Sequence, residues 1–463
     1  MNPYLNPFLL MRVFKSYIFD LNRIWHFDMS SLKKYQDIQF RQSVSFAYNH
    51  VPLYHKIYKK HGIHPRDIIG ITDCNKLPLI SKEDIRNHYP SDIKPKNIDE
   101  SSSFLLSTSG STGKPVFVYY DSLSAISSLL GYVRILKAYG GKWTKSKIIL
   151  IIDLEQGSIE NTMFTSSISP ILNKIIPMKN ILYIHIGEKP EMILKKIRSF
   201  QPEFLGSDPN MLRKLAHLQK NMYDDDLIIK TIFSGGSMLD PYTKSIIEKT
   251  FHSTVYNLYG CTEAGALAFE CIEKDYHHVH SDLVYLEFLD EQGDSVPFDH
   301  KGALVVTKLY GKGTPIIRYT GIEDFVIPLQ KKTSCGITTQ MIGNIEGRKV
   351  DMIILPDNIM MTPLSITGIP AKIMKRYNSY KIDQFQIIQH DLTHIEVLLV
   401  INKVKRNVGI PVTLLIQEMK QEFNTIVGSN MDVTINEVES IQKDKRSDYI
   451  QLVVSKVKQS LTN

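Results

Sequence analysis

The chain has 463 residues, 43% of them hydrophobic and 22% charged, which excludes a mainly disordered, collagenous or disulfide-scaffold protein. At roughly 150 residues per domain it has the length for two to four domains and a core that needs no covalent staple. Lys and Arg number 55 against 48 Asp and Glu, a net charge of +7 that is spread too thinly to indicate a nucleic-acid partner but suits a polyanionic small ligand. The four cysteines, Cys74, Cys261, Cys271 and Cys335, form no CxxC pair and read as reduced thiols of a cytoplasmic protein.

The apolar N-terminus is interrupted by Arg12, Lys15, Asp20 and Arg23. That is too often for a membrane span, and the order of a signal peptide is missing, so no transmembrane segment is expected and the stretch is predicted to be a helix packed on the body. Residues 1–95 form a helical entry segment with Gly62 as a stop. From about 104 to 260, short apolar runs at 147–153, 181–187, 203–207 and 228–236 alternate with helical patterns, the texture of a parallel α/β sheet covered on both faces. From about 279 to 340 strands follow one another without helices, including IIRYTG, which predicts a small antiparallel β subdomain. A compact α+β tail follows, with strands in EVLLVINK and DVTINEVES and helices in PVTLLIQEMKQEFNTI and SDYIQLVVSKVKQ. The predicted domains are 1–345 and 346–463.

LLSTSGSTGKPVFVYY (105–120) is the strongest local signal. Small hydroxyl and glycine residues expose backbone N–H groups, and Lys114 adds a cation, so the loop suits phosphates. It is not a Walker A loop, because Thr108 and Pro115 stand where Gly and Ser or Thr are required. TVYNLYGCTEAGALAFEC (254–271) carries a strand into Thr262 and Glu263, and strand ends are where α/β proteins place ligand groups. A carboxylate beside phosphates can hold Mg²⁺ through oxygen. TPIIRYTGIEDF places Arg318 and Asp324 at a strand end, IEGRKVDMI holds a Gly-Arg turn, and QKDKRSDYI a basic turn.

Together and in this order these segments resemble the adenylate-forming superfamily of acyl-CoA synthetases and adenylation domains. The nearest likeness is to its phenylacetate–CoA ligase and coenzyme F390 synthetase branch, which includes relatives associated with capsular polysaccharide. LPLISKEDIRNHYP (77–90), FLGSDPNMLRKLA, FSGGSML and HVHSDLVYLEFLDEQGDSVP share the texture of that branch. The resemblance implies a large N-terminal domain and a small mobile C-terminal one. It also implies activation of a carboxylic acid by ATP and Mg²⁺ as acyl-AMP, followed by transfer to an acceptor, with coenzyme A first. It assigns Thr108, Ser109, Gly110, Ser111, Thr112, Gly113 and Lys114 to the β- and γ-phosphates. Ser234, Gly235, Gly236, Asn257, Tyr259 and Gly260 fall to the adenine pocket, Thr262 to the α-phosphate, Glu263 to Mg²⁺, Asp324 to the ribose, Arg348 to the ribose and phosphates, and Lys445 to catalysis of adenylation. Alternatives are an amide- or ester-forming synthetase of cell-surface polysaccharide or secondary metabolism, and a catalytically silent ATP-binding homologue.

The sequence departs from the family pattern at four places. TGD is stretched to TGIED, which leaves Glu323 a poorer rival of Asp324. Val350 stands at the hinge position. The glycine expected near Asn358 is replaced, in a segment that helps admit the thiol acceptor. Asp444 replaces the glycine before the tail lysine, and Lys443 rivals Lys445. Cys261, Cys271, His277, His278, His280 and Cys335 have no closed zinc-finger spacing. They are expected to be ordinary buried thiols and surface histidines, although some members of the branch carry a structural metal there. Tyr119, Tyr120, Tyr132 and Tyr139 are expected to pack.

Overall fold

The computed structural model describes residues 11, 21–98, 103–108, 115–155, 158, 161, 179–273, 276–331, 333–348, 352–356, 359–377, 379, 381–428, 430–442 and 451–457. The chain divides into two compact units. One comprises Met1–Ser237, Thr250–Ile322 and Val326–Asn344; the other comprises Met238–Lys249, Glu323–Phe325 and Ile345–Asn463.

Helices open the first unit. Met29–His50 is capped by Asp28, whose side chain accepts from the Ser31 N–H, and Pro52–Lys60 follows with proline at its first position. Ser81 and Asp84 form a capping box, exchanging hydrogen bonds at the start of Lys82–Asn87. Within the N-terminal stretch, Arg23–His26 is helical and buries Ile24.

Strands β1 (Ser103–Ser107) and β2 (Phe117–Asp121) form an antiparallel hairpin. The large sheet contains β3 (Ile148–Ile152), β4 (Ile181–His185), β5 (Phe204–Ser207), β6 (Thr231–Gly235), β7 (Thr254–Cys261), β8 (Gly265–Glu270), β9 (His277–Val279), β10 (Val284–Leu289), β11 (Gly302–Lys308), β12 (Asp324–Leu329) and β13 (Met341–Arg348). Its order is β10-β11-β12-β13-β9-β8-β7-β6-β5-β3-β4. β3 through β7 pair in parallel, and from β7 to β8 the pairing turns antiparallel through an irregularity at Tyr259/Gly260. The change of texture near 279 is therefore a change of direction within one hydrogen-bonded sheet. β5 is buried along its whole length, as strands covered on both faces must be. Helix Pro209–Met222 is held at its start by Asp208, which accepts from the N–H groups of Asn210 and Met211.

IIRYTG forms bridges in place of the predicted strand. Tyr319 pairs with Val306 and Ile80, and Arg318 turns the backbone to φ 48°.

In the second unit β14 (Ile353–Ile354) pairs with β15 (Met360–Met361). A separate sheet holds β16 (Ile382–Gln389), β17 (His394–Ile401), β18 (Asp432–Glu437) and β19 (Val453–Ser455) in the order β18-β17-β16-β19. Ile395, Val397, Leu399 and Ile401 alternate into its core, against helix Val412–Val427 and its buried Leu415, Met419 and Phe423. Helix Pro241–Phe251 belongs mainly to this unit and donates from the Tyr242 hydroxyl to the Ile382 carbonyl at 2.6 Å. The helix expected over 447–459 is corrected: Val453–Ser455 is a strand parallel to β16, because Val453 and Val454 suit a pleated surface that β16 leaves open.

A buried ion pair ties the first unit together. Arg134, in helix Ser122–Ala138, makes a two-pronged contact to Asp282, with both bonds at 2.7 Å and side chains 1% and 0% exposed. The Arg134 Nε donates to the Leu21 carbonyl, and Arg23 reaches Asp282 at 3.4 Å. Burial alone would raise the Asp282 carboxyl, but the charge and hydrogen bonds of Arg134, then the charge of Arg23, hold it below the usual carboxylate range. A carboxyl with a lowered folded-state pKa stabilises the fold above its unfolded value and loses that contribution as pH falls through the folded one. Removing one partner strands the other, so Arg134→Met is expected to cost about 3–5 kcal/mol in urea unfolding at neutral pH. Arg134→Met with Asp282→Leu should recover most of that loss; equal losses in the single and double variants would exclude the pair as a unit.

Candidate functional site

The Gly/Ser run connects β1 to β2. The Thr108 N–H donates to the Val116 carbonyl, and the Val116 N–H donates to the Thr108 hydroxyl, both at 3.0 Å. Thr108 thus closes the base of the loop, and Ser109 through Lys114 lie outside the described residues.

Two more predicted clusters come together in register. Ser234 pairs with Asn257 and Gly235 with Leu258 across parallel β6 and β7. Ser234 is buried and its hydroxyl has no hydrogen-bond partner among the described residues. The Asn257 N–H donates to Glu270 at 2.7 Å, and its side-chain amide meets the His277 Nε2 at 3.4 Å. Tyr259 and Gly260 follow at the irregularity, and Gly236 continues beyond β6 with φ 84°.

Thr262, Glu263 and Ala264 form the turn from β7 into β8. Thr262 is half-buried and Glu263 only 4% exposed. Tyr319 donates its hydroxyl to the Glu263 Oε1 at 2.9 Å. Tyr319 is itself fixed by two backbone hydrogen bonds to Val306. The Arg318 carbonyl accepts from Ile80, and the Ile80 carbonyl accepts from Thr320, so the 77–90 segment backs this turn. A Cβ at Gly321 would lie 2.2 Å from the Tyr319 hydroxyl, so glycine there keeps the phenol in place. No hydrogen bond to Oε2 of Glu263 occurs among the described residues, which leaves an oxygen donor of the kind a hard divalent cation takes.

Asp324 begins β12 and is buried, after Glu323 at φ 64°. Arg348 ends β13. Lys445 and its rival Lys443 fall outside the described residues, as do Val350, Asn358 and Asp444.

Arg318 is corrected from a site candidate to a structural residue. Its guanidinium makes two bonds to Glu287, at 3.2 and 2.9 Å, and one to the Leu77 carbonyl at 2.6 Å. Buried Cys74 donates to the same carboxylate. Sequence reasoning missed Tyr319, although YTG adjoined the flagged Asp324; its hydroxyl became a site group only through the fold.

The histidines 277, 278 and 280 are buried rather than at the surface. Cys271, His278 and Cys335 offer ligand atoms within 4.8 Å of one another. Burial lowers the His278 ring to about 4 and raises the Cys271 thiol. Two thiols and an imidazole fit a soft cation such as zinc, with a position left for a further ligand. The four tyrosines after the loop do not all pack alike. Tyr139 stacks on Tyr256 with centroids 4.0 Å apart, and Tyr120 is buried, whereas Tyr132 is exposed.

The family model of AMP-binding enzymes matches residues 49–310. A phenylacetate-coenzyme A ligase of Pseudomonas putida is 26% identical over 90% of this chain and 93% of its own. The protein CapK of Staphylococcus aureus is 23% identical over 91% of this chain and 89% of its own. A crystal structure of 2-hydroxyisobutyryl-CoA ligase in the postadenylation state, with an acyl adenylate bound, superposes with a TM-score of 0.75 at 16% identity, over 92% of this chain and 90% of that one. That likeness is one of fold.

The cysteine–histidine trio has a direct test. Zinc supplied to chelator-treated protein at a hundredfold excess over its dissociation constant should stabilise it by about 2.7 kcal/mol. The gain, read as a rise in Tm, should vanish in Cys271→Ser and Cys335→Ser. An equal gain in those variants would place the zinc elsewhere.

Proposed function

The chain belongs to the family of AMP-binding enzymes, and on that premise we propose that it is an ATP-dependent ligase. It activates a carboxylic acid as acyl-AMP and passes the acyl group to coenzyme A. The observation that carries this reading is the turn after β7, where Tyr319 holds buried Glu263 beside Thr262. The ligase relatives and the loop based on Thr108 support it.

Joining a carboxylate to the α-phosphate of ATP brings two anions together, so the protein's work is positioning and charge neutralisation. Thr108 through Lys114 take the β- and γ-phosphates. Ser234, Gly235 and Gly236 with Asn257, Tyr259 and Gly260 line the adenine pocket. Thr262 donates to the α-phosphate, and Asp324 accepts from the ribose hydroxyls, with Arg348 near the ribose and phosphates. Glu263 holds Mg²⁺, which when bound neutralises phosphate charge. Lys445 arrives from a mobile domain, 346–463, and bridges carboxylate and α-phosphate during adenylation; the remainder, 1–345, binds ATP and acid. No helix among the described residues is long and apolar enough to cross a membrane; the work is placed in the cytoplasm, and an amide- or ester-forming synthetase of cell-surface polysaccharide or secondary metabolism is the alternative reading.

ATP–pyrophosphate exchange over a panel of aryl, fatty, hydroxy and amino acids, followed by thioester formation with coenzyme A, tests the reading. A well-folded protein that exchanges with no acid would overturn it, and exchange with transfer only to an amine or hydroxyl would move the acceptor.

Two variants test the roles. Tyr319→Phe removes one hydrogen bond to Glu263, worth about 0.5–1.5 kcal/mol. It should raise the Mg²⁺ concentration for half-maximal exchange roughly 2–10-fold; an unchanged Mg²⁺ profile would free Tyr319 from this role. Lys445→Ala should slow exchange by roughly 10²–10³, while transfer from a supplied acyl-adenylate stays near wild type. The same split seen in Lys443→Ala alone would move the assignment two residues back.

A further inference from the structure

Beside the 262–264 turn stands a charge that the proposed chemistry does not use. Lys308 ends β11, is 3% exposed, and its buried Nζ has no hydrogen-bond partner among the described residues. The chain there is fixed: the Lys308 N–H donates to the Ile316 carbonyl at 2.7 Å and the residue pairs with Val284. Nζ lies 4.3 Å from the ring centroid of Tyr120 and 5.6 Å from that of Tyr310. Those ring faces attract a cation but satisfy none of its three N–H donors.

The Tyr120 hydroxyl is buried beside that of Tyr310 and makes no further hydrogen bond among the described residues. Around these two stand groups that face the turn. The Tyr310 hydroxyl donates to the Ala264 carbonyl at 2.9 Å and meets the Ser128 hydroxyl at 3.0 Å. Gly265, at φ 75°, keeps the turn against them, since a Cβ there would lie 2.6 Å from both hydroxyls. Burial lowers the Lys308 ammonium to about 8, with Asp121 and Cys261 pulling the other way, so most of it is charged at pH 7. Asp121 is occupied as the cap of helix Ser122–Ala138, where it accepts from the Ser124 N–H, and it makes no ion pair with Lys308.

A buried cation with every donor unmet is costly, and Met would fill the same space without that cost. Tyr120 and Lys308 stand on β2 and β11, beside the turn whose Thr262, in the reading above, meets the α-phosphate that the carboxylate attacks and whose Glu263 holds Mg²⁺. Neither group belongs to the nucleotide set, which leaves the remainder of the acid as their partner. We propose that Lys308 and the Tyr120 hydroxyl recognise a second oxygen acceptor on the acid. Hydroxy, oxo or dicarboxylic acids are then preferred to plain hydrocarbon acids. The proposal rests on the ligase reading and names its substrate class.

The test is pyrophosphate exchange with phenylacetate and hexanoate against 2-hydroxybutyrate, 2-oxobutyrate and succinate, in wild type and in Lys308→Met. Wild type should favour one or more of the acceptor-bearing acids by at least about tenfold in kcat/KM, and in Lys308→Met that ratio should fall roughly 10–100-fold. The KM for ATP should stay within about twofold, and Lys308→Arg should restore part of the ratio. Which of the three acceptor-bearing acids leads separates a neutral acceptor from a second carboxylate. A wild-type preference for the hydrocarbon acids, or a proportional loss on every acid in Lys308→Met, would overturn the proposal and leave the ligase reading standing. Exchange with no acid in folded wild type would overturn both. Should Lys308→Met fail to fold, Tyr120→Phe carries the same comparison. It should lower the ratio about 5–10-fold, and an unchanged ratio would overturn the proposal.

Discussion

The Arg134–Asp282 pair is the contact on which the first unit depends. It brings together three stretches remote in the chain: the entry segment at Leu21 and Arg23, the helix that follows the loop-bearing hairpin, and the turn between β9 and β10. Two charges this deep are tolerated because the geometry is two-pronged and the remaining donors find a carbonyl and the His280 ring. The helix starts at Asp121, the last residue of β2. Fixing Arg134 therefore fixes where β2 leaves the hairpin, and with it the base of the Gly/Ser loop at Thr108.

The candidate site is built on that frame by backbone pairing rather than by long side chains. Parallel pairing sets Ser234 beside Asn257, and the irregularity at Tyr259/Gly260 lets β7 turn into the short 262–264 connection. Around the turn the protein places phenols: Tyr319 on Glu263, Tyr310 on the Ala264 carbonyl, and Tyr120 beside Tyr310. A phenol suits this place because its ring fills apolar space while one oxygen does polar work. The lone ammonium of Lys308 among them gives the floor of the turn a positive character that the Glu263 carboxylate does not cancel by contact.

The antiparallel end of the sheet has a different character. β9 places His277, His278 and then His280 in the interior, and β12 and β13 bracket Cys335. The thiols and ring of Cys271, His278 and Cys335 face one another there, with burial disfavouring the charged form of His278.

Much of this was legible in the sequence by itself. Periodicity and punctuation located the parallel strands and the helices between them, because these are local properties of backbone and side chain. The order of STSGSTGK and YGCTE carried the resemblance to adenylate-forming enzymes, and with it the chemistry that the resemblance implies. What only tertiary structure decided are matters of pairing and burial between remote residues. QLVVS read as a helix until β16 offered it an edge. IIRYTG read as a strand until Arg318 was drawn into Glu287. The histidines read as surface until β9 was enclosed. Tyr319 and Lys308 carry no local signal, since a phenol or an ammonium becomes a site group only through what stands beside it. That is set by contacts between residues remote in the chain, such as Tyr319 with Glu263 and Lys308 with Tyr120, which no local pattern encodes.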